Sequence, residues 1–187
     1  GWNMIGSLYQ PVNVSAIQQT PSGGLQAIFG WDPSQGYIVP TQIEPGKGYW
    51  VRVDPDTKLG ISISGVTGGG SSGDGLTAYS KAVAGLDLAG MLALENADGQ
   101  SRRLYITGSD VDADTRGLLA LPTAPPAGAL DVRTAEQTTF VFPGVNTVRI
   151  QGSGRHVLST PVASDRIDIE VRDEEGRLLH RFDGTEG

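Results

Sequence analysis

Glycine and proline interrupt this chain at short intervals, and these interruptions constrain its fold more than any other feature. The 187 residues include 27 glycines and 11 prolines, about a fifth of the chain against an average of roughly an eighth. Proline presets turn dihedrals, and glycine reaches backbone conformations that other residues avoid. The sequence therefore predicts short extended runs joined by turns, and it disfavours a helical bundle.

Composition narrows the classes of function. The chain has no cysteine and two histidines, which excludes a disulfide scaffold, a thiolate nucleophile and a histidine-rich metal cage. Its 21 acidic and 14 basic side chains give a net charge of −7, which disfavours binding to nucleic acid or anionic membranes. No apolar run approaches the roughly 18–20 residues of a membrane span. We therefore expect no nucleic-acid partner and no membrane span.

A glycine- and serine-rich stretch divides the chain. Val66–Gly75 reads VTGGGSSGDG, a composition typical of flexible linkers or long loops. All three tryptophans precede it, and the residues after it carry most of the net negative charge. We predict a small aromatic-rich β-domain over 1–65, a linker or loop over 66–75 and an acidic β-sandwich domain over 76–187.

The first segment alternates apolar runs with proline-containing turns. Tyr49–Val53 is rich in aromatic and β-branched residues, as strands are. Within this segment, the sequence is compatible with a helix only near Val14–Gln19. Strands are predicted at Trp2–Leu8, Leu25–Trp31, Tyr37–Val39, Gly48–Val53 and Leu59–Ile63.

Two hairpins are predicted in the second segment. Asp98-Gly99 lies between the strand-like runs Met91–Glu95 and Arg102–Thr107, and Asp-Gly in such a place is a strong hairpin signal. The run Ile167–Arg172 alternates apolar and charged residues before a turn and a second run, Leu178–Phe182. Tyr79–Leu94 fits a helix or a strand, with strand favoured after Gly90. Further strands are predicted at Leu130–Arg133, Thr138–Phe142, Thr147–Gln151 and His156–Ser159.

Together these patterns predict an all-β protein with little helix. The expected architecture is antiparallel, with two small β-sandwich modules or one composite sandwich. The chain begins at Gly1 without an initiator methionine or a signal-peptide pattern. We therefore expect it to be a piece of a longer exported protein, located outside the cell or on its surface.

Five stretches carry a resemblance to known proteins. Gly1–Gly6 (GWNMIG) and Glu44–Val51 (EPGKGYWV) resemble the two ends of a small β-domain found in secreted surface proteins of Bacteroidota-type bacteria, especially type IX secretion cargo. Leu92–Leu104 together with 124–133 is similar to a stretch that precedes the sorting region. Ile167–Phe182, with Asp173, Gly176 and Arg177, resembles a hairpin of immunoglobulin-like sorting domains. The resemblance implies an extracellular, immunoglobulin-like β-sandwich module and no catalytic residue.

An acidic stretch is the candidate metal site. Asp110, Asp112 and Asp114 present carboxylates at alternate positions, and several oxygen ligands are what calcium requires. The helix-flanked calcium loop would need glycine and glutamate where Thr115 and Leu121 stand. The alternatives are a different kind of calcium loop and a solvated acidic turn, with no cofactor required.

The aromatic residues of the first segment suggest a second candidate site. Exposed tryptophan and tyrosine rings can stack on sugars, and Trp31 and Tyr37 are the candidate glycan contacts. A domain of about 65 residues also needs large side chains in its core, and burial is the favoured interpretation for most of the set. The set is Trp2, Tyr9, Phe29, Trp31, Tyr37, Tyr49 and Trp50.

No pattern in the chain indicates catalysis. His156 and His180 lie far from any nucleophile-elbow sequence, and no carboxylate pair stands out for glycoside cleavage. We therefore expect a non-catalytic structural or interaction module that acts in adhesion, attachment or fibre assembly. Its partners would be proteins or further copies of itself, bound through edge strands. The alternative is a carbohydrate-binding module appended to a secreted hydrolase.

Overall fold

A computed structural model describes residues 1–7, 9–61, 77–96, 98–152, 157–159 and 167–182. Within these ranges the protein is built mostly of antiparallel β-strands with two short helices, which confirms the predicted all-β class. The predicted linker, 66–75, lies outside the described residues, and so does His156. None of the described helices is long and apolar enough to cross a membrane.

The chain forms two compact units. The first comprises Gly1–Asp32 and Tyr37–Ala84, and the second comprises Pro33–Gly36 and Gly85–Gly187. Helix α1 (Ala78–Ala84) therefore belongs to the first unit, whereas the sequence placed this stretch in the second segment. The sequence pattern of Tyr79–Leu94 fits both a helix and a strand because this stretch is helical at its start and a strand at its end.

Strands β1 to β8 occupy the first part of the chain, with a 3-10 turn at Val14–Ala16, where the sequence allowed a helix. Four of them form a sheet in the order β1-β7-β4-β5, and β2–β6 and β3–β8 are separate antiparallel pairs. The strands are β1 (Trp2–Gly6), β2 (Val12–Asn13), β3 (Gln18–Thr20), β4 (Leu25–Asp32), β5 (Gly36–Ile38), β6 (Gln42–Ile43), β7 (Gly48–Val53) and β8 (Lys58–Gly60).

The two faces of the four-stranded sheet differ. One face carries Ile28 and Val51, which pair across β4 and β7 and are buried in the core of the unit. A register shift between Leu25 and Ala27 brings Leu25 opposite Val53 and keeps it in this core. Because strand side chains alternate, the residues that precede and follow Ile28 on β4 and Val51 on β7 point to the opposite face of the sheet. That face is lined by aromatic rings.

Strands β9 to β16 and helix α2 (Ala113–Leu118) form the rest of the described chain. The strands make two sheets, in the orders β12-β10-β9-β14 and β11-β13-β15-β16. They are β9 (Leu88–Glu95), β10 (Ser101–Thr107), β11 (Asp131–Thr134), β12 (Phe140–Val141), β13 (Gly144–Gln151), β14 (Val157–Ser159), β15 (Ile167–Arg172) and β16 (Leu178–Phe182).

Both sheets contribute to one hydrophobic cluster in the second unit. Its buried members include Leu94 and Leu104 from one sheet and Val148 and Val171 from the other. The predicted hairpin between β9 and β10 is confirmed. Its turn is held by the Asn96 side chain, whose Oδ1 accepts hydrogen bonds from the backbone N–H groups of Asp98 and Gln100.

Two strand pairs depart from the predicted antiparallel arrangement. β10 pairs in parallel with β12, and β13 pairs in parallel with β15. In each case the intervening strand, β11 or β14, lies in the other sheet. This route is a crossover connection, which returns the chain in the same direction and therefore produces a parallel pair. Whether the units are immunoglobulin-like sandwiches stays a prediction.

Candidate functional site

Strand β16 ends the sheet β11-β13-β15-β16. It follows a tight turn in which Gly176 has a φ of 79° and its N–H donates to the Asp173 carbonyl. The Asp173 carboxylate accepts hydrogen bonds from the backbone N–H and side chain of Arg177. The turn chemistry seen in the sequence therefore produces the second predicted hairpin, in which β16 pairs antiparallel with β15.

The side chains of β16 are more exposed than those of its neighbour. Leu178 and Leu179 are 50% and 51% exposed, and His180 and Arg181 are exposed as well. Phe182 alone packs partly against the core cluster. Within the described residues, β16 pairs with β15 on one side and with no strand on the other, so its second row of backbone groups faces away from the sheet.

Charged residues line the outer face of this hairpin. Glu170 of β15 lies directly opposite Arg181 of β16, and one of its oxygens is 4.0 Å from the Arg181 Nη1. The other oxygen accepts a hydrogen bond of 2.7 Å from Arg172. The opposite face holds Phe182, whose ring lies 4.3 Å from that of His180. Charge and apolar surface are therefore separated on the two faces of the edge strand.

The aromatic face of the first unit is the sheet face that carries Trp2, Phe29, Trp31, Tyr37 and Trp50. Phe29 at its centre is 1% exposed because Trp2, Tyr37 and Tyr79 of helix α1 surround its ring. The four other rings of the face are half-buried. Burial is therefore complete at the centre of the aromatic face and partial around it.

The two predicted glycan contacts lie together on this face. The rings of Trp31 and Tyr37 are 5.0 Å apart and meet at 76°, which is an edge-to-face pair rather than a flat platform. Of the other aromatic residues in the set, Tyr49 is buried in the core and Tyr9 is exposed. The sequence could not separate these positions, because alternation assigns residues to two faces without saying which face is covered.

A cation adjoins the aromatic face. The Arg52 guanidinium lies 5.2 Å from the centre of the Trp2 ring, a distance at which cations and aromatic rings attract. Partial burial lowers the pKa of Arg52 from its ordinary value, although arginine stays charged in proteins. No local sequence pattern indicates this pair, because Trp2 and Arg52 are brought opposite each other by the register of β1 and β7.

The acidic stretch forms the start of helix α2. Asp112 caps it, and its oxygens accept hydrogen bonds of 2.8 and 2.9 Å from the backbone N–H and hydroxyl of Thr115. These hydrogen bonds lower the pKa of Asp112. The Arg116 guanidinium beside Asp110 holds the pKa of that carboxyl below its usual range. Asp114 is exposed in the first turn.

Arg116 is the residue of this region that the sequence did not single out. It donates hydrogen bonds of 2.5 Å to Asp110 and 2.8 Å to Glu136, and its guanidinium carbon lies 4.4 Å from the centre of the Phe142 ring. Among the described residues, no three histidine or acidic side chains are grouped in a way that could hold a metal ion. The calcium site at Asp110, Asp112 and Asp114 stays a prediction.

Comparisons with protein-family models, with curated proteins and with solved structures found no match to this chain. Arguments about its function therefore rest on its own residues and their arrangement.

Proposed function

We propose that this chain is a non-catalytic interaction module of a secreted or cell-surface protein and that it binds protein strands through the edge of β16 that pairs with no other described strand. The observation that carries the proposal is the position of β16 at the end of its sheet with four of its five residues exposed. An extended segment can add to such an edge because main-chain hydrogen bonds supply affinity and alternate side chains supply specificity.

The make-up of β16 supports this function. Many proteins protect edge strands with charge, proline or a covering element. Strand β16 contains no proline and a single arginine, Arg181, and Leu178 and Leu179 expose about half of their surface at its start. The resemblance of Ile167–Phe182 to a hairpin of secreted bacterial surface proteins favours an extracellular location. Adhesion, attachment or fibre assembly are roles that such strand contacts would serve.

Hydrogen exchange tests the proposed function directly. We expect an uncharged peptide of alternating valine and threonine to slow the exchange of the β16 amides, because these amides then donate to the added strand. Leu179→Lys should weaken this protection, since lysine is a residue that proteins place on edges to discourage pairing. Sedimentation velocity would detect association between copies of the chain, which Leu179→Lys should also weaken.

The matched control is Leu88→Lys. Leu88 is 49% exposed but lies on β9 in the other sheet, where it pairs with Thr107 of β10. This variant should bind peptide as the parent chain does. Unchanged exchange at β16 with every peptide, together with a monomer at all concentrations, would overturn the proposed function.

A carbohydrate-binding module is the second candidate. The half-buried rings of Trp31 and Tyr37 favour it, since a partly exposed ring can stack on a sugar. Their angle of 76° allows only one of the two rings to stack flat on a given sugar. In affinity gels containing polysaccharide, Trp31→Ala should abolish any retardation, whereas Tyr9→Ala, at an exposed site off the aromatic face, should not. Unretarded parent chain in every gel contradicts this candidate.

A further inference from the structure

We infer that Arg149 binds an acidic side chain of a protein partner on the outer face of the sheet β11-β13-β15-β16, the face that points away from the core cluster. Arg149 is exposed and lies on β13, which has a neighbouring strand on each side. The inference goes beyond the proposed function, because it concerns a sheet face and not the edge of β16. It holds whether or not a strand binds at that edge.

Three neighbouring strands of this sheet share a local pattern, a buried valine followed by an arginine. The valines belong to the core cluster. Because side chains alternate along a strand, the arginine after each valine points to the outer face. The three pairs are Val132-Arg133 on β11, Val148-Arg149 on β13 and Val171-Arg172 on β15.

The register of the strands brings the three arginines side by side. Arg149 lies opposite Arg133 of β11 and opposite Arg172 of β15. Like charges at directly opposite positions destabilise strand pairing, and opposite charges stabilise it. Carboxylates beside this row of arginines are therefore favourable.

Two of the arginines have a carboxylate on their own strand. Arg133 donates to both oxygens of Asp131, at 2.5 and 3.0 Å. Arg172 donates through two of its nitrogens to one oxygen of Glu170, at 2.7 and 3.2 Å. In both cases the acidic residue stands two positions before the arginine. The outer face thus shows twice how a carboxylate and an arginine of this row fit together.

Strand β13 has a threonine at the equivalent position. Thr147 stands two positions before Arg149, and its hydroxyl cannot neutralise a guanidinium. Within the described ranges, no hydrogen bond or ion pair joins Arg149 to another residue. Arg133 is buried and Arg172 is half-buried, so Arg149 is the most accessible arginine of the row. A carboxylate from outside the chain would complete the pattern that β11 and β15 complete themselves.

The surroundings of Arg149 favour a protein as the source of this carboxylate. The guanidinium fork matches the geometry of a carboxylate. The net charge of −7 disfavours long polyanions, whereas a single acidic side chain meets little repulsion. Sugars are commonly bound by stacking on aromatic rings, and the outer positions of β13 and β15 contain none. These positions are Val145, Thr147, Arg149, Gln151, Asp168, Glu170 and Arg172.

The test follows the side-chain Nε–H signals of the arginines by nuclear magnetic resonance during a peptide titration. The probes are capped five-residue peptides of glycine and serine whose central residue is glutamate, glutamine or lysine. The Arg149 signal is the one that disappears in Arg149→Gln. We expect it to report an affinity for the glutamate peptide about 1.5- to fivefold above that for the glutamine peptide, as one exposed ion pair supplies. High salt should reduce this preference.

Variants locate the preference at this residue. Arg149→Gln should bind the three peptides alike, and Arg149→Glu should prefer the lysine peptide, both followed through the backbone amide signals of β13. Arg103→Gln is the matched control, because Arg103 is an exposed arginine on β10 in the other sheet, and it should keep the preference of the parent chain. Circular dichroism establishes that each variant is folded.

Three outcomes would contradict the inference. Equal affinities of the parent chain for the three peptides would overturn it, and so would a preference for glutamate that survives in Arg149→Gln. Tighter binding of a methyl galacturonoside, which also has one carboxylate, would show that the site takes an acidic sugar and would overturn the choice of a protein partner. None of these results bears on strand addition at β16, which hydrogen exchange tests separately.

Discussion

At the scale of single residues, the second unit contains an ion pair whose two charged groups are buried away from water. Arg133 and Asp131 are adjacent side chains on the same face of β11, only 4% and 8% exposed. The Arg133 guanidinium donates to both oxygens of Asp131, at 2.5 and 3.0 Å, and to the carbonyl of Pro122 at 2.8 Å. These hydrogen bonds satisfy the groups that burial has removed from water.

We expect Asp131→Asn to lower the free energy of unfolding by about 3–5 kcal/mol, because it leaves the Arg133 charge buried without its counter-charge. Chemical denaturation measures this value. Glu95→Gln, at an exposed strand position, is the control and should change it by less than about 0.5 kcal/mol. Equal effects of the two substitutions would show that the pair is dispensable.

The hypothesis that Asp110, Asp112 and Asp114 bind calcium can be tested by substituting a single residue. Asp112 is a poor probe because it caps α2, so its removal affects stability with or without metal. Asp114 is exposed, and its substitution leaves the cap in place. If calcium binds, calcium chloride should raise Tm more than magnesium chloride at equal ionic strength, and Asp114→Ala should remove the difference. Identical melting in both salts, with no heat on titration, contradicts the hypothesis.

At the scale of elements, the cap of α2 makes this helix sensitive to pH. The pKa of Asp112 is lowered by hydrogen bonds from Thr115, so its carboxylate stabilises the folded state above the ordinary aspartate pKa of about 3.9. This contribution is lost as the pH falls through the lowered value. Asp112→Ala should therefore reduce Tm at neutral pH, and the reduction should narrow in strong acid. A reduction that is constant with pH would contradict the role of the charge.

Substitution of glycine by alanine should change the free energy of unfolding in opposite directions at Gly152 and Gly117. Gly152, after β13, has a φ of 117°, and an added Cβ would lie 3.1 Å from the Leu130 Cα. Gly152→Ala should therefore cost about 1–3 kcal/mol through backbone strain. Gly117 lies in helix α2 with nothing within 4 Å of an added Cβ, and Gly117→Ala should add about 0.5–1 kcal/mol. Thermal denaturation of both variants is the measurement, and shifts of the same sign would contradict this reasoning.

Helix α2 also shows where sequence patterns stop being informative. The alternating aspartates indicated a loop that could bind calcium, because carboxylates at this spacing are typical of such loops. In the structure these residues provide a helix cap, Asp112, and a partner for Arg116, Asp110, and calcium binding by them stays a prediction. A second partner of Arg116, Glu136, is distant in the sequence, so no local pattern could have indicated the cluster.

At the scale of the whole molecule, charge sets the conditions for every association experiment. The net charge is −7 and the isoelectric point is about 4.7. We expect solubility to pass through a minimum near that pH, where charge repulsion between copies disappears. Light scattering across a pH series is the measurement, and a flat profile would contradict it. The binding tests at β16 therefore belong near neutral pH.

Local chemistry in the sequence determined much of this protein. The hairpin turn at Asn96–Gln100, the turn at Asp173–Gly176 and the alternating run Ile167–Arg172 each gave a correct local prediction. These features depend on residues that are neighbours in the chain, and their turn dihedrals and side-chain alternation are readable from residue type alone. The two helices of the described residues are both short, as the same glycines and prolines predicted.

Only the tertiary structure decided which strands pair and which surfaces remain open. The parallel pairs β10–β12 and β13–β15 depend on strands that cross to the other sheet. The position of β16 at the end of its described sheet and the complete burial of Phe29 depend on which elements lie beside them. Pairing and burial arise from contacts between residues far apart in the chain, and the same alternating pattern suits a central strand and an edge strand equally well.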